Sequence, residues 1–296
     1  MPPLQRNDIN MKSIFFILGL AVSINGFSQT VSNKLNFQKG QKLEVITQMN
    51  RNSQSEFMGQ SMNTGMTSSF VSTFEVNDVT GAGATIEGKT KRIKVDITSP
   101  MQNMNFDSDN ESDLKGQMGK MMEKPLKTKF TMVVDATGKV TSVLEEKEKN
   151  KTSQDDAGML GMMMGGTNMN TGIPKVGDPS IFKVLPEKDL KVGESWVNES
   201  KDEGGTMKTT YTLSGVTDSE IQIDFIDEST LTTKQNMMGQ DANLEVKAKS
   251  NGKIILNKAT GLLKQKTMVT ESEEEIKVAG QSIPSKTKMT TTLTVK

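Results

Sequence analysis

From residue 35 onward, apolar and polar side chains alternate along the chain with a period of two, as in Ile93-Lys94-Val95-Asp96-Ile97, Phe130-Thr131-Met132-Val133-Val134 and Ile221-Gln222-Ile223-Asp224-Phe225. Successive side chains of a strand point to opposite faces, so each run predicts a half-buried β-strand. Leu244-Glu245-Val246-Lys247-Ala248-Lys249 and the C-terminal Met289-Thr290-Thr291-Thr292-Leu293-Thr294-Val295 continue the pattern, with Thr and Lys on the solvent side of an antiparallel sheet. Helical spacing is confined to two short stretches, at about 112–124 and 153–164. Gly, Asn and Asp punctuate the strands at Asn77-Asp78, Gly81-Ala82-Gly83, Ala136-Thr137-Gly138, Ser250-Asn251-Gly252 and Ala259-Thr260-Gly261. The pattern predicts an all-β protein, an antiparallel meander of hairpins.

The punctuation repeats. Val134-Asp135-Ala136-Thr137-Gly138-Lys139-Val140 matches Leu256-Asn257-Lys258-Ala259-Thr260-Gly261-Leu262-Leu263 around a shared Ala-Thr-Gly turn. Leu35-Asn36-Phe37-Gln38-Lys39-Gly40-Gln41 matches Leu190-Lys191-Val192-Gly193-Glu194, and 70–79 matches 207–216, in the same order. Two pseudo-repeated modules follow, at 29–150 and 181–296, either fused in one curved sheet or packed as two lobes. Residues 151–180, rich in Gly, Met and Asn and without alternation, read as a linker or flap between them.

At the N-terminus, Met11-Lys12-Ser13 precedes an apolar run from Ile14 to Ile24, and Gly26 and Ser28 place small residues before a cut at Gln29. Residues 1–28 therefore read as a cleaved export leader, with 1–10 as an upstream extension of the natural start. The run is too short to cross a bilayer, which needs about 20 apolar residues. The expected location is exported, periplasmic or secreted, with no membrane span once the leader is gone. The leader carries two basic groups and one acidic group, Arg6, Lys12 and Asp8, so the 36 basic and 36 acidic residues of the whole chain become a mature charge of about −1. That balance, with Arg51 and Arg92 the only guanidinium groups beyond the leader, carries no nucleic-acid footprint.

The stretch Pro186-Glu187-Lys188-Asp189-Leu190-Lys191-Val192-Gly193-Glu194-Ser195-Trp196, taken with the leader ending in Ser-Gln, the Gly40 turn, Asn105-Phe106-Asp107-Ser108 and the Thr-Gly-Lys-Val hairpin, resembles a family of exported proteins from Bacteroidetes known only as a domain of unknown function. The resemblance spans most of the mature chain. It implies an envelope or secreted location and brings no catalytic or ligand-binding residue with it.

The chain has no His and no Cys, which removes Ser-His and Cys-His nucleophiles and the usual zinc sites together. Ser112-Asp113-Leu114-Lys115 and Ser108-Asp109-Asn110 overlap in one acidic loop and lack a Lys-Thr-Gly partner. Gly83-Ala84-Thr85-Ile86-Glu87-Gly88-Lys89-Thr90 fits a phosphate-loop pattern but leads into an alternating strand, not a helix. Asp107-Ser108-Asp109-Asn110-Glu111-Ser112-Asp113 spaces its carboxylates like a calcium loop, yet Ser112 and Met118 stand where a Gly and a Glu are needed. Sugar chemistry is disfavoured by one Trp and one Tyr. No catalytic residue, metal or cofactor is expected.

The 22 Met residues cluster at Met58-Met62-Met66, Met101-Met104, Met118-Met121-Met122, Met159-Met162-Met163-Met164-Met169 and Met237-Met238. Thioethers suit Cu(I), but they also make soft, adaptable apolar surfaces. With the leader removed, eight Phe remain to fill about ten strands, which suits a single curved sheet with a lightly covered concave side. The expected ligand face holds Phe74, Ile86, Val95, Met132, Ile223, Phe225 and Leu256, with Met162, Met163 and Met164 as a soft cover. The expected function is non-enzymatic binding of an apolar small molecule or an envelope protein. A purely structural or interaction role and copper binding by the Met clusters are the alternatives.

Overall fold

The computed structural model describes residues 30–145 except 58, 101 and 102, and residues 173–296 except 203, 238, 239 and 279. The strands are β1 (Lys42–Phe57), β2 (Gln60–Thr80), β3 (Gly83–Thr98), β4 (Met104–Asp107), β5 (Lys129–Asp135), β6 (Val140–Glu145), β7 (Ser195–Asp202), β8 (Gly205–Val216), β9 (Glu220–Met237), β10 (Gln240–Asn257), β11 (Leu263–Val278) and β12 (Gln281–Val295). Two helices, α1 (Glu111–Lys115) and α2 (Gln117–Lys127), fall in the stretch where helical spacing was read; the second expected helix, at 153–164, lies outside the described residues.

All strands join one antiparallel sheet in the order β6-β5-β3-β2-β1-β12-β11-β10-β9-β8-β7, with β4 added on β3. The chain starts at the middle, meanders to one edge, resumes at the opposite edge and returns to the middle. There β12 pairs with β1 from Val45↔Val295 to Ser55↔Ser285, and Glu44 and Lys296 exchange backbone hydrogen bonds of 2.9 Å. The sheet does not close into a barrel.

The repeated segments have the same backbone geometry. Gly40 N–H donates to Val76 carbonyl and Gly193 N–H to Leu213 carbonyl, both at 2.8 Å, from turns in which Gln41 N–H and Glu194 N–H close back on Gln38 and Lys191. β2 and β8 then bulge at matching places, between Val76 and Asp78 and between Leu213 and Gly215. The Ala-Thr-Gly turns follow register shifts at Val133/Val134 and Ile255/Leu256.

One face of the sheet is covered, and coil covers it. Residues 30–38 run across the ends of both Ala-Thr-Gly turns: Leu35 N–H donates to Ala136 carbonyl and Asn36 N–H to Thr260 carbonyl, each at 2.8 Å. The approach is close enough that a Cβ on Gly261, whose φ is +70°, would sit 2.6 Å from the Lys34 carbonyl oxygen, and one on Gly138 would meet Leu35. Residues 173–194 pass from the β6 edge, where Val140 N–H bonds Asp178, to the β8 side, where Gly193 bonds Leu213. The part of this segment that was read as linker ends in structure, since Ser180 N–H donates to Gly138 carbonyl and the adjoining Phe182 is fully buried.

Together the two segments close two apolar clusters. Phe182 meets Phe37 and Phe74 edge-on, at 5.6 and 5.4 Å, over Val45, Ile86, Met132 and Val134. Val31, Leu185 and Leu190 cover Trp196, Leu213, Ile223 and Leu256. A third cluster lies under α2, where Met122, Met118 and Leu126 pack on Met49, Met66, Phe70, Ile93, Val95, Phe106 and Met289. Methionine here fills an irregular helix-on-sheet gap, a task suited to an unbranched side chain.

Candidate functional site

By register, Phe74, Ile86, Val95, Met132, Ile223, Phe225 and Leu256 share one face of the sheet. That face is packed. None of the seven is more than 7% exposed, and they are divided among the three clusters, so the thinly covered apolar patch expected from the shortage of Phe is absent at these positions. The missing bulk is supplied by coil, through Phe37, Phe182, Leu185 and Leu190. Met162, Met163 and Met164 lie outside the described residues.

The same inner face opens farther along the strands. A cavity of about 1790 Å³ touches nine strands, β1, β2, β3 and β7 through β12. Nine neighbours of one antiparallel sheet can border a single space only if the sheet curls around it. Its wall is one register row: Thr64, Ser53, Thr287, Ser272, Ala248, Ser229, Met207 and Ser200, each directly opposite the next. Flanking residues such as Lys249, Glu271 and Lys286 have side chains 70 to 82% exposed, so they point to the convex side and reach the cavity through their backbone.

Down each strand the inner face changes character in step. On β9 it reads Leu231, Ser229, Asp227, Phe225, Ile223; on β10, Val246, Ala248, Ser250, Gly252, Ile254. Small and polar residues thus interrupt the apolar stripe at one level across the sheet. This was the available sequence signal, and it is visible only when the strands are aligned by register.

Polar contacts organise the wall and the row beneath it. Arg51 donates to both oxygens of Glu274, at 2.8 and 3.0 Å, across the intervening β12, and its side chain and that of Glu274 are only 16% and 11% exposed. Ser272 donates to the same carboxylate and Thr287 donates to Ser53. One row deeper, Ser250 and Thr270 share a hydrogen bond of 2.9 Å and Thr209 donates to Asp227 at 2.6 Å. The next row is an aromatic shelf: Trp196 stacks on Tyr211 at 5.0 Å, and Tyr211 lies 6.0 Å from Phe225. The Phe225 ring occupies the space over Gly252, where a Cβ would come within 2.6 Å of it. Burial pushes the Tyr211 hydroxyl above its ordinary pKa, with Asp227 adding to the effect.

The motifs with chemical associations are structural in this fold. Gly83–Thr90 lies wholly inside β3 and opens no helix. In the acidic loop, Asp107 and Asp109 pair with Arg92, Asp113 accepts from the Asp107 N–H, and Asn110 caps α1. Arg92, first through its hydrogen bond, holds the Asp107 carboxyl below the usual range. Ser112 donates to Asn110, and Lys115 pairs with Glu111.

Among curated proteins none matches the chain. Solved structures with a similar course include lipovitellin, from a study of its lipid–protein interactions, at 10% identity and a TM-score of 0.47, covering 88% of this chain and 25% of that one. This chain therefore spans about a quarter of the lipovitellin chain. An outer-membrane channel from Pseudomonas putida F1 matches at 7% identity and a TM-score of 0.23, covering 89% and 98% of the two chains. The translocator domain of the autotransporter NalP from Neisseria meningitidis matches at 8% identity and 0.20, covering 87% and 89%. With TM-scores below 0.5, these likenesses carry no functional argument. A family model does match more than half of the chain, over residues 81–263, and by that match the protein belongs to the family of unknown function DUF6263.

Proposed function

We propose that the protein is a non-enzymatic binding protein, exported to the periplasm or beyond, that seats an amphiphilic molecule or an extended partner chain in the curl of its sheet. The observation that carries this reading is the cavity itself. Nine strands border one space of about 1790 Å³, and the side chains that face it are Ser, Thr, Ala and one Met. A packed β-protein has no use for a matched row of small residues at one level; filling that level with Leu or Phe would close the sheet on itself. The volume exceeds the roughly 300–1,000 Å³ of a drug-sized pocket, which favours a long or bulky occupant.

The wall does not resemble an active site. Beside it Arg51 and Glu274 are spent on each other, and of its hydroxyls Ser53 and Thr287 bond one another while Ser272 bonds the Glu274 carboxylate. The test is to fill the cavity from its wall. Ala248→Trp and Ser229→Trp should leave the far-ultraviolet circular dichroism of the protein unchanged and abolish the fluorescence gain of a lipophilic reporter dye. Equal dye binding by wild type and both variants would refute the reading, and native mass spectrometry of protein purified from the envelope would identify the retained molecule.

A further inference from the structure

Lys266 is the unexpected residue of the inner face. Its neighbours are apolar: Ile254 and Leu293 stand directly beside it on β10 and β12, Ile223 and Leu213 continue the row on one side, and Thr47 and then Phe70 on the other. The side chain leaves that row toward the cavity. Its Nζ lies 4.8 Å from the centroid of Phe225, one row nearer the opening, and it feels the charge of Asp227, a row nearer still. Among the described residues, Lys266 has no hydrogen-bond acceptor and no ion-pair partner, whereas the other inward cation of this wall, Arg51, is matched to Glu274. Asp227 pulls Lys266 toward its charged form, but its Oδ1 already accepts from Thr209 and it forms no ion pair with the lysine. Burial outweighs that pull and lowers the lysine pKa.

Three further polar groups lack partners in the row that holds Phe225. Thr291 Oγ1, Trp196 Nε1 and, farther along on β2, Ser68 Oγ belong to residues more than nine-tenths buried, and none has a hydrogen-bond partner. Indole N–H and ammonium are donors only. Buried donors without acceptors are rare in folded proteins, because each costs the full desolvation of the group. What the indole N–H and the ammonium lack is therefore an acceptor, and beside a cation the best acceptor is an anion.

We infer that the space beneath the cavity's small-residue row is a head-group site, in which Lys266, with Thr291 on the adjoining strand one row nearer the opening, receives the anionic, oxygen-bearing head of an amphiphile, a carboxylate or a phosphate. The inference rests on the cavity reading above and adds the chemistry of its ligand. The Phe225 face, one row nearer the opening, meets the lysine's charge, as an aromatic face does for a cation. The small-residue row lies four residues up each strand from Phe225 and Thr291, about 13 Å, so a tail attached to that head runs toward it and the opening.

The test compares dodecanoate, dodecyl phosphate and dodecanol, which share a tail and differ in the head. Wild type should bind at least one of the two anions about tenfold more tightly than the alcohol, the size expected of a charge-assisted hydrogen bond in a sheltered site. Which anion is preferred separates a fatty-acid-like from a phospholipid-like ligand. Lys266→Met should erase the preference and leave dodecanol affinity unchanged, with an unaltered thermal unfolding curve as the check on folding. Thr291→Val, which removes the hydroxyl at nearly constant shape, should reduce the preference part of the way. An anion preference that survives in Lys266→Met, or no preference in wild type, overturns the head-group site while leaving the cavity reading intact. Failure of wild type to bind any of the three overturns both.

Discussion

Asp135 and Asn257 hold the same place in the two Ala-Thr-Gly turns, and each folds its turn around one side-chain oxygen. Asp135 Oδ1 accepts from the N–H groups of Thr137 and Lys139 and from the Thr137 hydroxyl; Asn257 Oδ1 accepts from Ala259 and Thr260. An amide suffices for the geometry, so Asp135→Asn should fold normally. The two differ in acid. Burial raises the Asp135 pKa, but the hydrogen bonds from Thr137 and Lys139, with Lys183 nearby, together hold it below the ordinary value. A lowered carboxyl pKa contributes stability above the unfolded value of about 3.9 and loses it as pH falls through the folded value. Urea midpoints measured downward from about pH 5 should therefore fall less steeply in Asp135→Asn than in wild type. Arg51 and Glu274 make the opposite case. Truncating either alone, as Arg51→Met or Glu274→Met, strands a charge in a sheltered wall and should cost about 3–5 kcal/mol, while the double variant should recover most of that loss in a double-mutant cycle.

At the scale of elements, the strands were legible and their covering was not. Period-two alternation marks a strand wherever one face is buried, and it placed Ile93–Ile97, Ile221–Phe225 and Leu244–Lys249 in β3, β9 and β10. The same alternation cannot say what buries the face. Phe74 and Ile223 read as a ligand surface because no second sheet or long helix was available to cover them. The cover comes instead from Val31, Leu35 and Phe37 and from Phe182, Leu185 and Leu190, in segments whose Pro, Gly and Asn content hides any period. Lys266 was equally hidden, since a single Lys in an alternating strand counts as an outward residue until register assigns its face. The cover is also the element most open to test. Phe182→Ala should cost about 3–5 kcal/mol in equilibrium unfolding, because the ring is fully buried between two other rings. Removing residues 30–38 should expose both clusters at once and produce strong binding of a dye for apolar surfaces. A truncated protein with the wild-type melting temperature would show that the coil is ornament.

The whole molecule is held by contacts that cross between its halves. β1 and β12 pair along eleven residues of β1, Val45 to Ser55, and residues 30–38 bond both Ala-Thr-Gly turns. A specific protease site placed between residues 146 and 172 should therefore yield two fragments that co-elute in gel filtration and separate only in denaturant. Separate elution of the fragments in native buffer would show two independent lobes instead.

The central pairing also sets an order of events. β1 is made early and β12 last, so for almost the whole of synthesis β1 has β2 on one side and an open backbone edge on the other, in the middle of the eventual sheet. The half from β7 to β11 meets the same condition at β11. Each half waits with its most hydrogen-bond-hungry strand unprotected until β12 arrives, and the contact that joins them reaches from β1 to β12. Such long-range pairing makes folding slow and leaves β1 and β11 free to pair with the wrong molecule in the interval. Chains ending before Gln281 should therefore aggregate through β1, and a synthetic peptide of residues 281–296 added in excess should suppress that aggregation.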